Sequence, residues 1–336
     1  MRLWRPVLNA PPQCLLPMRW KPPSTRKSDM TPPIISPESF EALRRMRAAE
    51  PTMVAERFKQ RRKRELLGED GKLFIVAADH PARGALAVGD NETAMANRYE
   101  LLERMAIALS RPGVDGVLGT PDIIDDLAAL GLLDDKIVVG SMNRGGLRGA
   151  SFEMDDRYTG YNVSSMVDRG VDFAKTLVRI NLSDAGTAPT LEATAHAVNE
   201  AAAAQLPIML EPFMSNWVNG KVVNDLSTDA VIQSVAIAAG LGNDSSYTWM
   251  KLPVVEEMER VMESTTMPTL LLGGEGGNDP DATFASWEHA LTLPGVRGLT
   301  VGRTLLYPQD GDVAAAVDTA ARLVHTDIQQ FTSQSI

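Results

Sequence analysis

The chain has 336 residues, 44% hydrophobic and 23% charged, which fits a globular protein whose single barrel-sized domain would use most of the length. A formal net charge of -10 excludes a surface built for nucleic acid, whose affinity rests on clustered lysine and arginine. The single cysteine, Cys14, excludes an internal disulfide framework and a cysteine zinc cluster and makes a reducing cytoplasm the natural setting; no apolar stretch approaches the roughly 18 residues of a membrane span.

Residues 1–35 read as a disordered or loosely attached leader. Arg2, Arg5, Arg19, Lys21, Arg26 and Lys27 precede the first acid, Asp29, among many prolines. Those prolines oppose an amphipathic transit helix, so the segment is expected to be a dispensable extension, with Met30 as an alternative start. Residues 36–68 form a helical segment: Ser36 is an N-cap, Pro37 suits the first helical position, and Phe40, Leu43, Met46, Met53 and Phe58 supply apolar positions that would cap a barrel or build an interface. The basic run 59–64 reads as a solvated helix face.

From residue 69 to 328, β-type and helix-type segments alternate, and 329–336 is a tail. Strands are expected at 73–79, 116–119, 137–142, 176–181, 207–211, 248–252, 269–273 and 298–302, with helices at 93–109, 191–204, 228–239, 282–291 and 313–324. Eight units spaced by roughly 32 residues predict an α/β fold, a (β/α)8 TIM barrel with an N-terminal helical extension. Catalysis in such barrels belongs at the C-terminal strand ends.

Charge gathers there. The first strand ends in Asp79-His80, the fourth carries Arg179 and Asn181 on one face, and the fifth ends in Glu211. The sixth, Thr248-Trp249-Met250-Lys251-Leu252, places Trp249 and Lys251 on a face that a covered parallel strand normally keeps apolar. Partial desolvation would lower the amine's pKa and leave a nucleophile able to form a Schiff base. The competing reading is a packed stem with its head in water. Adjacent strands lie about 4.8 Å apart, so Glu211 can face Lys251 and move protons, with Asp79 holding the amine or sharing the relay. A structural alternative pairs Asp79 with Arg179 inside the barrel. Gly273-Gly274 and Gly302-Arg303, on the seventh and eighth units, read as a phosphate site. Asn143, Arg144 and Arg148 follow the third strand and either bind a second anionic group or form a surface loop. His80 either assists the relay or makes a local hydrogen bond. His196, His289 and His325 fall in or beside helices as surface or packing residues, so no metal site is expected.

With Lys251, Glu211, Asp79 and Gly302-Arg303 so placed, residues 72–324 resemble the class I aldolase superfamily, closest to its tagatose-bisphosphate and fructose-bisphosphate branch. The resemblance implies a strand-six Schiff-base lysine, an acidic or phenolic proton shuttle and a Gly-Arg phosphate site, with no cofactor beyond the covalent imine. Deoxyribose-phosphate aldolases add a strand-seven lysine where this chain has Gly273-Gly274-Glu275, which weakens that substrate. The chain also looks like aldolase-like barrels of myo-inositol catabolism, implying cleavage of 6-phospho-5-dehydro-2-deoxygluconate to dihydroxyacetone phosphate and malonate semialdehyde, with Arg303 and the Arg144/Arg148 loop as phosphate and carboxylate sites.

The function expected is thus a metal-independent aldolase acting on a phosphorylated ketose or keto acid, as a homo-oligomer with no nucleic-acid or membrane partner. The alternatives are a Schiff-base thiolase acting on a phosphorylated diketone, separable by products with and without coenzyme A, and a non-catalytic sugar-phosphate binder, whose binding would survive Lys251→Ala.

Overall fold

The computed structural model describes residues 35–273 and 279–325. Eight parallel strands close into a barrel: β1 (Leu73–Ala77), β2 (Gly116–Gly119), β3 (Ile137–Ser141), β4 (Phe173–Ile180), β5 (Ile208–Val218), β7 (Thr248–Pro253), β8 (Thr269–Leu272) and β9 (Val296–Val301). Neighbours follow chain order, β1 pairs with β9, and β4 pairs with β5, so the ring is complete. The remaining strand, β6 (Lys221–Asn224), folds back antiparallel on the end of β5.

The helices are α1 (Pro37–Ala49), α2 (Pro51–Gln60), α3 (Arg98–Ser110), α4 (Pro121–Ala129), α5 (Val163–Arg169), α6 (Thr187–Ala203), α7 (Thr228–Ala239), α8 (Met258–Glu263), α9 (Pro280–Leu291), α10 (Arg303–Leu306) and α11 (Val313–Val324). Their apolar stripes cover the outer faces of the strands, where Phe74, Val76, Val117, Val138, Ile208 and Met250 lie fully buried. The alternate residues, among them Leu73, Ile75, Phe173, Met209, Trp249 and Leu270, form a separate apolar cluster within the ring. That cluster is the floor beneath the charged mouth. Among the described residues, no helix is long and apolar enough to cross a membrane.

Seven of the eight barrel strands differ from the expected bounds, most by one or two residues at an end; two differ by three or more, and both of those departures matter. Strand β4 begins at Phe173 rather than 176, which brings Lys175 into the sheet. Strand β5 runs past Glu211 to Val218 and reverses at Asn219-Gly220, whose φ values of 51° and 74° suit the two positive-φ positions of a tight hairpin. The Trp217 indole donates to Asp184 Oδ2 at 2.5 Å, tying this hairpin to the loop after β4.

Helix α1 starts as read, with the Ser36 side chain accepting from Ser39 N at 3.2 Å, but Pro51 divides the segment into two helices. The basic run is not a solvated helix face. Helix α2 stops at Gln60, and the following side chains pair with acids that precede β2, β3 and β4. Arg61, 8% exposed, reaches Asp172 at 2.7 Å and Lys63 reaches it at 2.9 Å. Arg62 pairs with Asp134 and Asp135 at 3.1 and 2.8 Å, and Arg64 with Asp115. The run therefore clamps the N-terminal rim of the barrel. Asp172 also accepts from Val138 N at 2.9 Å, so Asp172→Ala, which leaves the Arg61 guanidinium buried, is expected to destabilise the fold by about 3 kcal/mol in urea titration.

His325 is likewise no ordinary helix residue. Its Nε2 lies 3.0 Å from Asp115 and its Nδ1 contacts Asp70. Burial depresses its pKa, but hydrogen bonds to Asp115 and Asp70 outweigh burial and raise it above the usual histidine value. A raised folded pKa gives stability that is fully present below the unfolded value, ~6.5, and is lost as pH climbs through the folded one. Unfolding midpoints are expected to drop over that interval, and His325→Gln to flatten the drop.

Candidate active site

The residues at the C-terminal rim follow from strand alternation. Lys251 lies above Trp249, Glu211 above Met209, and Lys175 between Phe173 and Leu177, so each charged side chain extends the inward face of a strand whose lower positions are apolar. Glu211 is adjacent to Lys251 across the β5–β7 pair, as expected. Lys251 Nζ donates to Glu211 Oε1 at 2.5 Å, and Lys175 Nζ meets the other oxygen, Oε2. Lys175 Nζ also lies 3.3 Å from Asp79 Oδ2, and Arg144 Nη2 donates to that oxygen at 2.5 Å. Ser141 Oγ donates to Asp79 Oδ2 at 3.2 Å and accepts from Arg144 Nε at 2.9 Å.

Lys251, Glu211, Lys175, Asp79 and Arg144 thus form a buried chain of alternating charge, three cations to two anions, each residue at most 8% exposed. Burial alone would raise the Glu211 pKa, but the Lys175 and Lys251 ammonium groups outweigh it and hold the carboxyl at about 2. Burial would also raise Asp79, and Arg144 and Lys175 hold it well below the usual carboxylate range. The Lys175 amine is shifted down, first by burial, with Lys251 adding repulsion that Asp79 and Glu211 oppose. Both carboxylates are therefore ionised acceptors, and each amine has a carboxylate within hydrogen-bond reach.

The pairing of Asp79 with Arg179 is not formed. Arg179 donates to Glu153 Oε1 at 2.5 Å and to the Glu153 carbonyl at 2.8 Å, while Arg83 pairs with Asp156 at 2.5 Å and donates to the Gly146 and Asn143 carbonyls at 2.6 and 2.8 Å. These two buried pairs brace the loop between β3 and α5. Asn143 is spent on backbone: its amide accepts from Leu177 N at 2.9 Å and donates to Leu177 O at 2.5 Å, continuing the β3–β4 ladder by a side chain. Asn181 accepts from Ser183 N at 2.9 Å in the turn after β4. Arg144 is turned inward onto Asp79, whereas Arg148 is exposed on the same loop. Trp249 belongs to the floor, edge-on to Phe173 with ring centroids 5.3 Å apart.

Gly302 lets β9 close on β1, since a Cβ there would sit 2.4 Å from the Ala77 carbonyl oxygen. It precedes Arg303, the first residue of α10, whose charge acts on His80. Gly273 O accepts from Thr304 Oγ1 at 3.2 Å, joining the ends of β8 and β9; Gly274 lies outside the described residues. Among the described residues, no cluster of three or more His, Cys, Asp or Glu is arranged to hold a metal ion.

Sequence reading missed Lys175, the second amine of the site. Its signal is the same as that of Lys251, a lone cation inside the run Phe173-Ala174-Lys175-Thr176-Leu177, and it was lost by starting the strand at 176. The bracing acids Glu153 and Asp156 lie in a loop without regular spacing and carried no such signal.

Comparison with known proteins bears on both fold and family. No curated protein matches the chain. The crystal structure of Cgl0159 from Corynebacterium glutamicum is 99% identical, with a TM-score of 0.87, over 88% of this chain and 100% of that one. A Schiff-base-forming fructose-1,6-bisphosphate aldolase is 20% identical, with a TM-score of 0.55, over 81% of this chain and 100% of that one. The fructose-bisphosphate aldolase from Slackia heliotrinireducens is 13% identical, with a TM-score of 0.51, over 91% and 96%. The two aldolases share the barrel fold with this chain. Residues 71–321 match the Cgl0159-like family, and the chain belongs to it.

Proposed function

We propose that the protein is a Schiff-base carbon-carbon lyase, cleaving a phosphorylated ketose or keto acid to dihydroxyacetone phosphate and an aldehyde. The observation that carries this reading is the buried Lys251 amine at the end of the sixth barrel strand, 2.5 Å from one carboxylate, Glu211, while Lys175 is shared by two. The likeness in fold to a Schiff-base-forming aldolase supports it.

In this mechanism Glu211 takes a proton from Lys251, and the free amine adds to the substrate ketone. Glu211 returns that proton as the carbinolamine loses water. The iminium that results carries one positive charge at Lys251, so Glu211, ionised again, regains its counter-ion. Lys175, bridging Glu211 and Asp79, stays an ammonium and holds both carboxylates in place. The iminium then draws in the electron pair of the breaking carbon-carbon bond, Asp79 receives the proton of the substrate hydroxyl and returns it to the enamine carbon, and water hydrolyses the new iminium to free the ketone and the Lys251 amine. Gly302 and Arg303, with Gly273 at the end of β8, would hold the phosphate, and Arg148 a distal carboxylate. The chemistry uses no metal. Within this class, 6-phospho-5-dehydro-2-deoxygluconate satisfies both anion sites, in a cytoplasmic setting.

The test is borohydride reduction in the presence of dihydroxyacetone phosphate, followed by mass spectrometry. A single adduct on the peptide bearing Lys251, with cleavage of ketose phosphates unchanged by chelator, is the expected result. An adduct on Lys175, or none, overturns the assignment.

A further inference from the structure

The proposed mechanism leaves His80 unused, yet the ring is set among the reacting groups. Its charge environment includes Asp79, Arg303, Lys251 and Glu211. Burial pushes its pKa down to about 3 in spite of the neighbouring Asp79, so the imidazole is neutral. A neutral imidazole has one donor and one acceptor nitrogen, and its surroundings select which is which.

The choice follows from Asp79. The side-chain hydrogen bonds to Asp79 from Ser141, Arg144 and Lys175 all fall on Oδ2. The other oxygen, Oδ1, faces His80 Nδ1 at 3.7 Å. Nδ1 is sealed from solvent and lacks a hydrogen-bond partner, while the side chain as a whole is 28% exposed, so its open edge carries Nε2. An anionic oxygen opposite Nδ1 places the proton there and leaves a lone pair on Nε2. The contact is longer than a hydrogen bond, as is common for such pairs before a ligand closes them. The ring takes up space that the absence of a side chain at Gly302 leaves open: a Cβ there would sit 3.3 Å from His80 Cε1.

We propose that His80 Nε2 accepts a hydrogen bond from a hydroxyl of the ketone held on Lys251, which makes His80 a specificity residue for hydroxylated over deoxygenated ketones. The proposal deepens the Schiff-base reading and rests on it. The cations of the mouth can donate to a phosphate or carbonyl oxygen, but none can accept from a hydroxyl. A neutral acceptor performs that task without repelling the phosphate that the same substrate carries.

Two ketone phosphates differing by one hydroxyl, dihydroxyacetone phosphate and hydroxyacetone phosphate, provide the probe. Borohydride-trapped adduct is measured against concentration in the parent, His80→Asn and His80→Gln. The parent is expected to trap the hydroxylated ketone at about 10-fold lower concentration. His80→Asn keeps a group opposite Asp79 and removes the outer acceptor, so it should lose that preference without weakening hydroxyacetone phosphate. His80→Gln, whose amide oxygen reaches the position of Nε2, should restore most of it. Unchanged preference in His80→Asn, or equal weakening of both ketones in both variants, overturns the proposal. No adduct in the parent with either ketone removes the Schiff-base reading itself, and the proposal with it, a result distinct from the others.

Discussion

Replacing Lys251 by methionine is expected to abolish borohydride trapping and to lower turnover by at least about 10^4-fold, while the protein stays folded. The fold should survive because methionine fills a similar volume and Glu211 keeps Lys175 as its counter-ion. The informative comparison is Lys175→Met. There Asp79 retains Arg144 and Glu211 retains Lys251, so an adduct still forms and turnover falls by about 10^2-fold, the scale of a misplaced proton relay. If the two variants exchanged these phenotypes, the nucleophile would be Lys175.

Glu211→Leu is expected to be the most destabilising single change at the rim, by about 3 kcal/mol or more, because it removes the carboxylate between two buried ammonium groups and leaves Asp79 paired with Lys175 but not with Lys251. That is a large part of the ~5–15 kcal/mol by which domains are stable. Thermal unfolding should show the loss, and raising the pH should recover part of it, since deprotonating either amine removes the repulsion. Acid acts on the parent through the same group. Glu211 has a depressed folded pKa of about 2, so its contribution is present above the unfolded value of ~4.3 and disappears as pH falls through the folded one. Glu211→Gln should lack that acid limb.

Much of this architecture was legible because parallel barrel strands are buried on both faces, and any charge within them stands out. Lys251 and Glu211 were visible for that reason, and Asp79 as the charge that follows the apolar run of β1; strand β2 and helices α7 and α11 begin and end where the apolar pattern does. The chain's charge pairing was not legible in the same way. Arg144 was read as either an anion receptor or part of a surface loop and turns instead onto Asp79, and Arg179 finds Glu153 rather than Asp79. Partner choice among buried ions depends on loop paths that have no sequence period. The Asn219-Gly220 hairpin is a different case. The dipeptide is a strong turn signal, flanked by Trp217, Val218, Val222 and Val223, and the hairpin it makes adds a strand outside the eight of the barrel.

Asp115, just ahead of β2, binds Arg64 from the arm that precedes the barrel and His325 from the residue that follows its last helix. One carboxylate therefore buckles the two ends of a circular sheet whose first and last strands must also find each other. Such a ring stays open during synthesis until its final helix has emerged, with the edges of β1 and β9 bare. Chains ending before His325 should accordingly be cleaved faster by protease at matched equilibrium stability, because the buckle acts on how often the ring reopens.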